Sequence, residues 1–215
     1  IEAVTGVQTC ALPIFSIVCI SLGEDDDAQV IFETLNGHGA QLHATDLIRN
    51  FIFMRAGLNA DDLYKNLWSR FEDELWSEPQ SRGRLNRPRL EWFVQTVLQA
   101  ETAEEIDIGR LYAGYRRFVD DTPKLYSADA QLELLNSHAE HYRNLVKGNG
   151  ETPIGIFGRR VAAWDASPTH ALALKVASSY LSFEDQHNIF DCIESYLVRR
   201  AVCGRSEERR VGKEC

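Results

Sequence analysis

Apolar residues recur at helical spacing through most of this chain, and the places where the period breaks divide it into segments. Val30, Ile31, Thr34 and Leu35 form one stripe, which stops at Asn36-Gly37, a pair that favours left-handed backbone and so ends helices. A second helix restarts at Thr45, a suitable N-cap. Asp46 stands where the positive pole of that helix favours an acid, and Leu47, Ile48, Phe51 and Ile52 continue the stripe. The same period predicts a helix over residues 60–76, capped by Asn59 and carrying Leu63, Leu67, Trp68, Phe71 and Leu75. Residues 77–87 are polar, contain Pro79 and Gly83, and are expected to be a loop. Pro88 then suits the first turn of a helix through Leu90, Phe93, Val94, Val97 and Leu98.

Two further helices are expected over residues 107–120 and 127–147. In the last third Thr152-Pro153, Ser167-Pro168 and Ser182 each place a hydroxyl ahead of a helix, the final one running over residues 183–202 and stopping at Gly204. One stretch departs from the helical period. Phe15 to Leu22 (FSIVCISL) is short, rich in Ile and Val and bounded by Gly23, which predicts a strand. The fold class expected is therefore mainly α: a helical bundle with one short N-terminal strand, whose sheet partners would lie upstream.

Composition narrows the function classes. With 44% hydrophobic residues the chain can build a core, and its net charge of −9 argues against non-specific coating of nucleic acid, though not against a local basic patch. No apolar run approaches the roughly 20 residues of a membrane span. Val4 to Ile14 (VTGVQTCALPI) and Arg205 to Cys215 (RSEERRVGKEC) resemble in-frame translations of sequencing adapters, so residues 1–14 are expected to be an artefactual leader and 205–215 an artefactual tail. The other reading is a signal-peptide remnant and a basic tail. Of the five cysteines, Cys19, Cys192 and Cys203 lie outside those ends, without CxxC spacing, as expected of a reduced cytoplasmic protein without structural zinc.

Candidate chemistry is concentrated in two places. The corner between the first two helices offers Asn36, whose amide both donates and accepts, followed by glycines that let a ligand approach the backbone. Arg82, Arg84, Arg87 and Arg89, followed by Trp92 and Phe93, form a basic cluster that could grip phosphates; alternatively its arginines pair with acids such as Glu72, Asp73 and Glu74. Trp68 and Trp76 are candidates for base stacking or for the core. His138 with His141, and His38 with His43, are possible metal neighbours, but no third ligand is apparent and no metal is expected. The acids Glu24 to Asp27 are read as capping a helix start. Neither a Ser-His-Asp arrangement nor a phosphate loop of the G-x-x-x-x-G-K-[ST] type can be argued.

Phe32 to Asn36 (FETLN), Gly39, Leu42, Asp46-Leu47-Ile48 and Asn50 together resemble the FETLN-x-x-G-x-x-L-x-x-x-DLI-[KR]-N signature of the GmrSD-type restriction endonuclease N-terminal domain family. Gly83 to Leu90 (GRLNRPRL) and Glu194 to Gly204 (ESYLVRRAVCG) resemble two further segments of that family, in the same order. The resemblance implies a type IV, modification-dependent system of phage defence, with a ParB-like domain that binds and hydrolyses nucleoside triphosphate with Mg2+ and an HNH-type nuclease domain, in the same chain or a partner, that cuts DNA. It implies that residues 15–57 are the C-terminal part of the nucleotide-binding domain and 58–204 a helical domain coupling it to the nuclease. Asn36, Gly39 and Asp46 would then finish or brace the nucleotide pocket. The DGQQR motif and HNH cluster of the family are absent, so the fragment alone is expected to be inactive and to hold no cofactor. The alternative is a non-catalytic helical interaction module.

Overall fold

The computed structural model describes residues 43–203 apart from Asp165. The chain divides into two units at residues 42 and 43, and the described residues belong to the second. The expected strand at 15–22, the acids at 24–27 and the corner with Asn36 and Gly39 lie outside the described residues.

The described unit is helical with one small sheet. Its principal helices are α1 (Ala44–Met54), α2 (Ala60–Leu63), α3 (Glu74–Ser77), α4 (Arg89–Thr102), α5 (Leu111–Asp121), α6 (Ala128–Lys147), α7 (Pro153–Val161), α8 (His170–Ala177) and α9 (Phe183–Val202). The two strands, β1 (Pro79–Arg82) and β2 (Leu85–Pro88), pair antiparallel between α3 and α4. No described helix is long and apolar enough to cross a membrane.

Two apolar clusters hold these elements. The first joins α1, the 60–77 stretch, α4, α5 and most of α6 around a ring cluster of Phe71, Trp76, Phe93 and Tyr142, with the Trp76 and Phe93 centroids 4.8 Å apart and those of Phe93 and Tyr142 5.1 Å apart. Aromatic pairs at these separations add to area burial. Trp68 and Trp76 are both buried here, so they are core residues and not a platform for a base. α4 is buried on nearly every side. Two of its buried polar residues find carbonyl acceptors: Gln95 donates to the Ile106 carbonyl at 2.7 Å and Thr96 to that of Trp92 at 2.6 Å. The second cluster gathers α7, α8 and α9 on Leu145, near the end of α6. There a Cβ on Gly158 would collide with the Leu145 carbonyl oxygen, so the close passage of α7 over α6 needs glycine.

Four expectations are corrected. The stretch expected as one helix over 60–76 is instead α2, a π-turn at Tyr64–Trp68, a 3-10 turn at Ser69–Glu72 and α3, separated by extended backbone at Asp73. The reason lies in the spacing. Leu63 and Trp68 are both buried but five residues apart, which an α-helix would turn to different faces and a π-turn brings to one. The expected loop at 77–87 is mostly the β-hairpin. Gly83 and Arg84 link its strands with Gly83 at φ +59°, a conformation that suits glycine. The N-cap of α1 is His43 and not Thr45, which is buried inside the first turn. The Ser167-Pro168 pair starts only a 3-10 turn, with α8 following at His170. The other two hydroxyl caps do form: Thr152 accepts from the Gly155 N–H at 3.3 Å and Ser182 from that of Asp185 at 3.1 Å.

Candidate functional site

α1 begins against α4, and a single carboxylate makes the join. Glu91 is fully buried, and its Oε1 accepts the Ala44 N–H at 2.9 Å, one of the first N–H groups of α1 that have no partner within the helix. The same oxygen lies 3.3 Å from His43 Nδ1, and Glu91 Oε2 lies 3.7 Å from Arg87 Nη1 without a hydrogen bond of its own. An acid at a helix N-terminus is favoured by the helix dipole, and here it comes from another element. That explains why no local hydroxyl is needed at the start of α1.

Asp46 works on the same turn. Its Oδ2 accepts the His43 N–H at 3.2 Å, closing the turn from the inside. Of the three residues the resemblance places at a nucleotide pocket, Asp46 is described, while Asn36 and Gly39 lie outside the described residues. Asp46 and Glu91 are both engaged by backbone N–H groups at the start of α1. Asp46 thus braces the first turn of α1 through His43.

The arginine cluster is brought together in sequence but dispersed in bonding. Gln80 pairs with Arg87, and Arg82 with Leu85, which puts Arg82 and Arg87 on one face of the hairpin, turned toward the body. The Arg82 guanidinium lies over the Trp92 ring, 4.5 Å from its centroid, and donates to the Tyr142 hydroxyl at 3.4 Å. Trp92 Nε1 in turn donates to the Gln80 carbonyl at 2.9 Å. Burial raises the pKa of the Tyr142 hydroxyl, and Arg82 and Arg89 oppose that shift. Arg87 faces Glu91, and Arg89 pairs with Glu78 at 2.7 Å. Thus three of the four are committed within the fold, though not to Glu72, Asp73 or Glu74. Asp73 instead accepts from Arg143 at 2.7 Å. Arg84 occupies the hairpin turn, exposed and without an ion pair among the described residues. It is the member of the cluster most open to an external phosphate.

A third polar group joins α4, α6 and α8. Glu101 Oε1 lies 3.1 Å from Lys175 Nζ and 3.3 Å from His138 Nε2, while His138 Nδ1 donates to the Leu134 carbonyl at 3.0 Å. His141, one turn along, has its pKa lowered by burial and then by the charge of His138. Among the described residues no group of three His, Cys, Asp or Glu side chains is placed to hold a metal ion.

Glu91 and Glu101 carry no motif that marks them. The one sign of Glu91 in the sequence is an acid between Leu90 and Trp92 in an otherwise apolar stretch. No protein-family model matches the chain, and neither a curated protein nor a solved structure does.

Proposed function

We propose that the chain is part of a phage-defence, modification-dependent DNA restriction endonuclease, contributing the end of its ParB-like, nucleotide-binding regulatory domain and a helical arm. The observation that supports this reading best is the junction at Glu91. The segment through Asp46 and Asn50 and the segment from Gly83 to Leu90 resemble one family independently, and they meet in the fold where Glu91 accepts the Ala44 N–H. A buried hydrogen bond of this kind ties the chain leaving the FETLN corner to α4, whose residues 91–98 are all buried. In this reading Asn36 and Gly39 face the nucleoside triphosphate and its Mg2+, Asp46 braces their segment, and α4 relays their position into the arm. DNA is held through the complete protein, with Arg84 as the free contact and Arg82, Arg87 and Arg89 shaping the hairpin that presents it. Cleavage belongs to an HNH-type domain in the same chain or a partner, and the assembly acts in the cytoplasm.

The test uses the complete gene product. Asn36→Ala is expected to abolish nucleoside triphosphate hydrolysis and with it cleavage of modified DNA, while Glu91→Gln retains hydrolysis but weakens its coupling to cleavage. Unchanged hydrolysis in Asn36→Ala overturns the nucleotide-binding role of the corner. The second reading, a non-catalytic helical interaction module, is favoured by one observation: three of the four hairpin arginines are engaged by their own chain.

A further inference from the structure

α9 buries Gln186 and Phe190 but leaves an adjoining flank uncovered. Between that flank and α8 lies a shallow groove of about 470 Å³, lined chiefly by Leu172, Ile189, Cys192, Ile193 and Tyr196. Its lining is almost entirely apolar, yet Leu172 is 53% and Tyr196 55% exposed. Ile189, Ile193 and Tyr196 stand at i, i+4 and i+7, the spacing with which one helix receives another.

The charges at the two ends of this stripe identify the occupant. Asp185 precedes Ile189 by one turn on the same side of α9, and Arg199 and Arg200 follow Tyr196 by one turn. The flank is therefore acidic at its start, apolar along its middle and basic at its end. Such a surface is complementary to itself when reversed. Two copies packed antiparallel set Asp185 of each against Arg199 and Arg200 of the other, whereas parallel packing opposes like charges. We propose that this face pairs with the same face of a second copy of this chain, α9 against α9 in antiparallel orientation about a two-fold axis at Cys192.

Cys192 falls at that axis because it lies midway between Asp185 and Arg199 in sequence and lines the groove. Such an isologous contact is self-complementary and closed, so it produces a dimer and not a filament. The acids on the other side of α9 do not interfere, since Asp191 and Glu194 are both held by Arg160, at 3.1 and 3.3 Å.

Sedimentation of the 215-residue chain through the micromolar range is expected to show reversible dimerisation. Tyr196→Glu, at an exposed position, is expected to weaken it by about tenfold or more, as for a central aromatic anchor. Asp185→Arg and the double variant Arg199→Asp/Arg200→Asp should each dissociate alone but pair when mixed, because only the mixture opposes unlike charges. With Cys10, Cys19, Cys203 and Cys215 replaced by Ser, a short bis-maleimide should still cross-link two chains through Cys192. A chain that stays monomeric, as it would if another segment filled the groove, overturns the proposal. So does a dimer that Tyr196→Glu leaves intact, that does not re-form on mixing the charge variants, or that fails to cross-link through Cys192.

Discussion

The two ends of the described unit reach their folds by different means. Around α4 nearly everything faces inward: Phe93 touches three other rings, Glu91 is fully enclosed, and Arg82, Arg87 and Arg89 are drawn onto the body. Around α9 the local signals are stronger and the packing lighter. Ser182 caps the helix and its terminal turns carry the charges its dipole favours, yet only Gln186 and Phe190 of its side chains are buried. The contrast separates two sources of stability that sequence patterns tend to merge. α9 adds a cap and terminal charges of its own to its packing, whereas α4 is held chiefly by what surrounds it.

The largest effect expected from this difference is at Phe93. Truncation to Ala leaves a cavity among the three remaining aromatic rings and should lower the stability of the described unit by about 3–5 kcal/mol in urea unfolding. Hydrogen exchange sharpens the comparison: amides of α4 should exchange only by global unfolding, and those of the second half of α9 by local opening. Equal protection of the two helices would remove the distinction.

Next in size is Glu91. In Glu91→Ala the Ala44 N–H loses its acceptor in a closed environment, and the expected loss is about 1–3 kcal/mol. Glu91→Gln should lose less, since an amide oxygen still accepts from Ala44. If the two variants are equally destabilised, the hydrogen bond is not what anchors α1. The corresponding change in the lighter region, Ser182→Ala, should cost about 1 kcal/mol, the usual value of an N-cap. That loss should appear as faster exchange in the first turn of α9 more than as a shift in global unfolding.

The same contrast explains what could be read without coordinates. Helices with a full local grammar were legible: residues 127–147 and 183–202 match α6 and α9. The hairpin was not, because Pro79 to Pro88 contains neither β-branched nor aromatic residues. Its strands are held by residues outside them: Trp92 donates to the Gln80 carbonyl, and Tyr142, 60 residues along the chain, accepts from Arg82 of β1. The π-turn at Tyr64–Trp68 was hidden because a spacing of five was read through a period of 3.6. The site was legible in outline only. Four arginines close together suggested one patch, but cross-strand pairing and the acids at 78 and 91 divide their work. The start of α1 was misplaced at Thr45 because its decisive partner, Glu91, is 47 residues away from Ala44.

The smallest expected effect concerns protons on the bridge between the two regions. His141 lies on α6, which contributes to both clusters, and its pKa is held below the ordinary histidine value by partial burial and by His138. Its unfolded form takes up a proton near pH 6.5, as an unperturbed imidazole does, roughly where the folded form still resists one. Between those two values the unfolded chain binds more protons, so stability increases with pH across this window and declines on acidification. Glu140 beside it opposes the shift, and burial and His138 outweigh it. His141→Gln removes only its own share. Urea midpoints measured from pH 7.5 down to pH 5 should therefore fall less steeply in the variant, with the curves converging at the alkaline end. A variant whose curve is steeper than that of the parent would show that His141 gains a proton on folding, and would reverse the assignment of burial as the dominant influence at that position.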